Sequence, residues 1–84
     1  MFNWKDFKNN ENINVICKDV EEFRSFVKEA KKHRIKVNAA LEMTYNDGYC
    51  VFADLDKHLY CAKVENMKGI DDKQTFVNYS DIVF

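Results

Sequence analysis

The sequence predicts an α+β fold: an antiparallel sheet of about four or five strands with one main helix packed on one face, in the order β-α-β-β-β. Three observations predict it. A single long amphipathic segment follows Asp19. Short runs with a two-residue apolar period lie before and after it. Turn signals at Asn46-Asp47-Gly48 and Asp56-Lys57 divide the later runs from one another. A helix that buries one stripe and strands that bury one face satisfy each other as two layers.

The elements follow in chain order. Residues 1–12 form a lead-in with Phe2, Trp4 and Phe7 as its apolar members and a polar break at Asn9-Asn10-Glu11-Asn12. Their spacing suits neither period, which predicts an irregular or one-turn helical segment laying aromatics on the core. Trp4 reads as core packing, with an exposed binding anchor as its alternative. Ile13 to Cys17 reads as the first strand, with Ile13, Val15 and Cys17 on one face and Asn14 and Ile16 on the other.

Asp19 is an N-cap residue with Glu22 three positions later, the spacing of a capping box. Val20, Phe23, Phe26, Val27 and Ala30 then share an arc of about 120° at helical periodicity. Arg24, Lys28, Lys31 and Lys32 gather on one flank of that stripe, and Glu22, Glu29 and His33 on the other. Basic residues crowd the last turns, where the helix dipole favours them. No Gly marks the helix end.

After the helix, Leu41, Met43 and Tyr45 alternate with Glu42 and Thr44, which predicts a strand. Ala39 to Glu42 reads alternatively as a helical turn, since Ala, Leu and Glu favour helix. Asn46-Asp47-Gly48 is a turn. Tyr49 to Leu55 follows as a strand with Tyr49, Val51, Ala53 and Leu55 on one face, then the Asp56-Lys57 turn, then His58 to Val64. These three runs predict an antiparallel meander. Glu65 to Lys73 reads as a loop around Gly69 and Asp71-Asp72. Gln74 to Tyr79 is the last strand, and Ile82-Val83-Phe84 is apolar enough to dock on the domain.

Eighty-four residues make one domain, 1–84, with the α+β core at 13–84. A hydrophobic content of 46% with 14% aromatic excludes a disordered chain. The net charge of −1 supplies no global field for nucleic acid or an anionic membrane. The opening residues do not read as a signal peptide, and no apolar run nears the roughly 20 residues of a membrane span. Three Cys at irregular spacing argue against a disulfide framework and for a reducing cytoplasm.

Chemistry-bearing patterns are sparse. Cys17, Cys50, Cys61, His33 and His58 are the soft ligands, without C-x-x-C or H-x-x-x-H spacing, so no metal site is expected. Whether Cys50 and Cys61 face each other depends on strand register. Two glycines exclude a P-loop or a G-x-G-x-x-G turn. The acids at turns read as backbone caps. No catalytic residue and no cofactor is expected. What remains is charge. Residues 1–35 carry eight Lys/Arg against six Asp/Glu, and residues 36–84 carry five against eight. The candidate partner-binding residues are Arg24, Lys28, Lys31 and Lys32 on the helix flank, with Asp47, Tyr49, Asp54 and Asp56 at the turns. Tyr45 joins Tyr49 as an exposed-turn candidate.

The pieces Ile13-Asn14-Val15-Ile16-Cys17, Asp19 to Ala30, Ile35-Lys36-Val37, Tyr49 to Cys61 and Tyr79-Ser80-Asp81-Ile82 resemble small proteins of phages and prophages of low-GC Gram-positive bacteria. Richness in Asn, Lys, Ile and Asp suits an AT-rich genome of that kind. Similar proteins often have Gly and Trp after the helix, where this chain has Arg34 and Val37. Small phage proteins of this size include inhibitors of bacterial defence, anti-CRISPR proteins among them. The resemblance implies a setting, the host cytoplasm; taken with the small size, the lack of catalytic motifs, the charge skew and the turn tyrosines, it leads to the expectation of a non-catalytic, stoichiometric inhibitor with a bacterial protein complex such as a CRISPR effector as its partner. The alternative is a nucleic-acid binder using Arg24, Lys28, Lys31, Lys32 and Lys36, with Trp4 or Tyr60 for stacking. A homodimer through an edge strand is a further expectation. No membrane partner is expected.

Overall fold

The computed structural model describes residues 2–9 and 12–82, so Asn10, Glu11 and the expected docking of Val83 and Phe84 lie outside the described residues. The lead-in folds as helix α1 (Trp4–Asn9). Asn3 caps it, its Oδ1 accepting the Lys5 and Asp6 backbone N–H groups at 2.9 and 3.2 Å. Strand β1 (Ile13–Ile16) and the main helix α2 (Val20–Lys32) follow. The Asp19 carboxylate accepts the Glu22 N–H at 3.0 Å, and the Glu22 carboxylate accepts the Lys18 N–H at 2.9 Å. Both ends of the expected box are thus used, with the return bond falling one residue upstream of the cap.

Helix α2 stops without glycine. Arg34 takes φ = 64°, the Arg34 N–H donates to the Lys31 carbonyl at 3.3 Å, and the Ile35 N–H donates to the Ala30 carbonyl at 3.2 Å. This pair of bonds is a Schellman motif, and buried Ile35 and Ala30 supply its apolar contact.

The next segments correct the expected strand order. Leu41 to Tyr45 is not a strand; Leu41–Thr44 is a one-turn helix, α3. Leu41 and Tyr45, four apart, are both buried, while Met43 between them is 86% exposed. That is helical spacing, so the expected three-strand meander is a two-strand hairpin. It consists of β2 (Cys50–Ala53) and β3 (Leu59–Ala62). The Asn46 turn forms as expected, with the Tyr49 N–H on the Asn46 carbonyl at 3.0 Å. Gly48 sits there at φ = 86°, a conformation that needs no Cβ. Leu55, expected to share the inner face of β2, lies beyond the strand and is 75% exposed. The expected loop at Glu65 to Lys73 begins with helix α4 (Val64–Lys68), which Gly69 ends. The last strand is β4 (Thr75–Asn78), followed by a 3-10 turn at Tyr79–Asp81.

The sheet order is β3-β2-β1-β4. It is mixed rather than purely antiparallel: β2 pairs antiparallel with β1 and β3, whereas β4 runs parallel to β1, Val15 opposite Val77. The return from β3 to β4 carries α4 across the outer face, which is how a parallel strand is reached.

Register sorts the side chains. Val15 and Val51 are paired, and both are fully buried on the face covered by α2. Phe23 and Phe26 pack there, and Phe2, Trp4 and Phe7 close one end through edge and stacked contacts with Phe26 at 5.0–6.1 Å. Aromatic pairs of this kind add about 0.5–1.5 kcal/mol beyond burial. Helices therefore lie on both faces, α2 on one and the shorter α4, through buried Met67, on the other.

Candidate functional site

The basic flank is divided by internal pairing. The Arg24 guanidinium donates to the Glu42 carboxylate, and the Lys32 ammonium sits 3.2 Å from the Glu29 carboxylate. Each pair is exposed and worth about 0–1 kcal/mol. Lys28 and Lys31 make no ion pair among the described residues. Arg24 and Lys31 stand on the wall of a groove of about 230 Å³ between α2 and residues 37–42, floored by Val27, Val37 and Leu41.

The acidic turns fall into two separate places. Asp47 and Tyr49 precede β2, and Asp54 and Asp56 follow it, so the strand's four residues, about 13 Å, lie between them. The Asp54 carboxylate accepts the His58 N–H at 2.9 Å, and Lys57 adopts φ = 63° to close the turn. Asp54, Asp56 and His58 bring their ligand atoms within 4.8 Å of one another. The bond to His58 gives Asp54 a structural task in that turn.

The tyrosines expected at exposed turns are tied inward. Tyr45 is 7% exposed, stacks on Phe23 at 4.3 Å, and donates its hydroxyl to the Cys17 carbonyl at 2.6 Å. Burial, with the nearby Cys17 adding, pushes its phenol above the usual range. Tyr49 is half-buried, edge-on to Tyr45 at 6.0 Å, and its hydroxyl accepts from the Asn46 amide at 3.2 Å.

Cys50 pairs with Ala62 and Cys61 with Val51, so the two thiols point to opposite faces of the sheet. Burial pushes the Cys17 thiol up to about 12, with the Glu22 and Asp19 carboxylates adding to it. Burial likewise pushes Cys50 up to about 11. A thiol held protonated is a poor nucleophile and a poor metal ligand.

The register also assembles a surface that the charge pattern did not mark. Tyr60 is opposite Phe52 and Asn14 is opposite Phe76, and Phe52 and Asn14, each one residue from the Val15–Val51 pair, share the outer sheet face with them in one row. Tyr60 stacks on Phe52 at 6.0 Å and is 46% exposed. Ile70, 60% exposed, borders the same Phe52 in a depression of about 250 Å³ that Met67 floors. The Lys68 ammonium lies 5.6 Å from the centre of the Phe76 ring. Period-two alternation in the two hairpin strands, placing Phe52 and Tyr60 opposite Val51 and Leu59, is the signal that locates this row in the sequence. Trp4, by contrast, lies against Phe26 and His33, at 5.0 and 4.6 Å. No described helix is long and apolar enough to cross a membrane. No protein-family model, curated protein or solved structure matches the chain.

Proposed function

We propose that the chain is a non-catalytic protein-binding module that acts by stoichiometric contact, as a phage-encoded inhibitor of a bacterial defence complex of the CRISPR-effector kind. The observation that carries the binding reading is the row of Tyr60 and Phe52 with Ile70 beside it on the outer sheet face. Contiguous exposed apolar and aromatic groups on a small domain mark interaction surfaces, and Tyr is among the residues that dominate them. The phage setting rests on the resemblance of the strand, helix and closing segments. Nucleic acid is the weaker reading, because two of the four flank cations already have carboxylate partners and the aromatic row has an acid, Asp71, on its border.

The test is a phage plating assay on a CRISPR-immune host that expresses the chain. Plating is expected to rise, and Tyr60→Ser with Ile70→Ser is expected to abolish the rise while the purified double variant keeps its far-UV spectrum. Unchanged plating together with no complex on size exclusion against the purified effector would sink the reading.

A further inference from the structure

The far edge of the sheet carries a second surface, which goes beyond the aromatic row. In the parallel ladder the Thr75 N–H donates to the Asn12 carbonyl at 2.7 Å, so Thr75 and Val77 turn their backbone groups to β1. Phe76 and Asn78 alternate with them and turn theirs outward. Because β4 is the outermost strand, the outward N–H groups of Phe76 and Asn78 face no further strand among the described residues. An edge strand in this condition is a template for one more strand.

The side chains beside that edge define what it would accept. On the α2 side of β4 lies a groove of about 430 Å³. Phe2, Ile13, Val77 and Ile82 form its apolar floor, and Asp6 and Asp81 stand on its rim with no lysine or arginine among its lining. An extended segment hydrogen-bonded to β4 points every second side chain into this groove. Apolar side chains fit the floor, and cationic ones at the outer positions meet the two carboxylates. A second copy of the chain is a poorer occupant, because beside the single cation Lys73 its β4 brings the acids Asp71 and Asp72, and it would set another Asp6 and Asp81 at the seam.

We propose that β4 binds an extended, basic-ended peptide strand by edge addition, with apolar residues at alternate positions seated in the groove lined by Phe2, Ile13, Val77 and Ile82 and flanking Lys or Arg held by Asp6 and Asp81.

The probe is acetyl-Lys-Thr-Val-Thr-Val-Thr-Lys-amide, titrated into the isotope-labelled full chain and followed by amide NMR. Saturable shifts are expected at Phe76 and Asn78, with slowed exchange of both amides. The counterpart peptide with Glu at both ends is expected to bind at least about tenfold more weakly. Asn78→Pro removes one outward donor at a residue whose φ of −77° already suits proline, after a residue in extended conformation. Binding is expected to fall about tenfold in that variant while the β1 and β2 signals stay in place. Asp6→Asn with Asp81→Asn is expected to erase the preference for Lys over Glu.

No saturable shift at β4, equal binding of the two peptides, or unchanged binding by Asn78→Pro would overturn the proposal. So would concentration-dependent shifts at β4 without peptide, which would assign the edge to a second copy. Binding seen only after removal of Val83 and Phe84 would assign the groove to the chain's own end and overturn it too. Each readout is independent of phage plating and of Tyr60, so the failure of one surface leaves the other standing.

Discussion

Asn14 is the only polar side chain fully buried among the described residues. Its amide donates to the Gln74 side chain at 2.8 Å and to the Asn12 and Thr75 carbonyls at 3.2 Å. Gln74 in turn donates to the Asn12 side chain at 2.9 Å. A buried amide costs stability unless it is bonded, and this one is bonded to the segment that brings β4 alongside β1. Asn14→Ala is expected to destabilise by about 1–3 kcal/mol in urea denaturation, since Gln74 loses its partner in a half-buried place. A change under about 0.5 kcal/mol would show the network to be incidental. The buried thiols set a pH response of definite sign. Cys17 and Cys50 titrate higher folded than their ordinary value of 9.0. Their contribution is complete below about pH 9 and is lost as pH rises through about 11 and 12. The urea midpoint is expected to fall between pH 8 and pH 10.5, and less steeply in Cys17→Ala. An equal slope in that variant would remove Cys17 from the account.

At the scale of elements, α2 was legible because three signals agreed over thirteen residues: cap, stripe and dipole-matched charge. Its end was not, because the left-handed position that glycine usually marks is held by Arg34. A non-glycine residue there costs about 1–2 kcal/mol, and glycine returns part of that gain as backbone entropy, about 0.5–1 kcal/mol. Arg34→Gly is therefore expected to raise stability by roughly 0.5–1 kcal/mol, read from thermal melts; a loss would mean that the Arg34 side chain contributes more than its backbone costs. The strand expected at Leu41 to Tyr45 failed for a different reason. Leu41 and Tyr45 satisfy a period of two and a spacing of four alike, and only the exposure of Met43 separates them. Helix α4 has five residues and no side-chain cap, too little for periodicity to register.

Strand partnership is a property of the whole molecule. Nothing local in Thr75 to Asn78 says that its neighbour is β1, sixty-two residues earlier, or that the two run parallel. The same holds for the proposed surfaces: charge marked Asp47 and Asp56, but the fold sets them at opposite ends of β2 and brings Ile70 to Phe52 instead. Because β4 covers one side of β1, a chain ending at Lys73 is expected to lose cooperative folding. It would leave Val15 without its neighbour Val77 and Asn14 without its amide partner Gln74. A sigmoidal far-UV melt for that shortened chain would show the remaining three strands to be self-sufficient. The lead-in helix is joined to the rest in a way that light can report. Trp4 is the sole tryptophan, and its indole lies nearly parallel to the His33 ring, 9° apart, at the end of α2. Its fluorescence therefore follows one junction, whereas ellipticity at 222 nm follows every helix. With Phe7 of the same helix fully buried, the two unfolding curves are expected to coincide in urea, making one emission band a gauge of the entire transition.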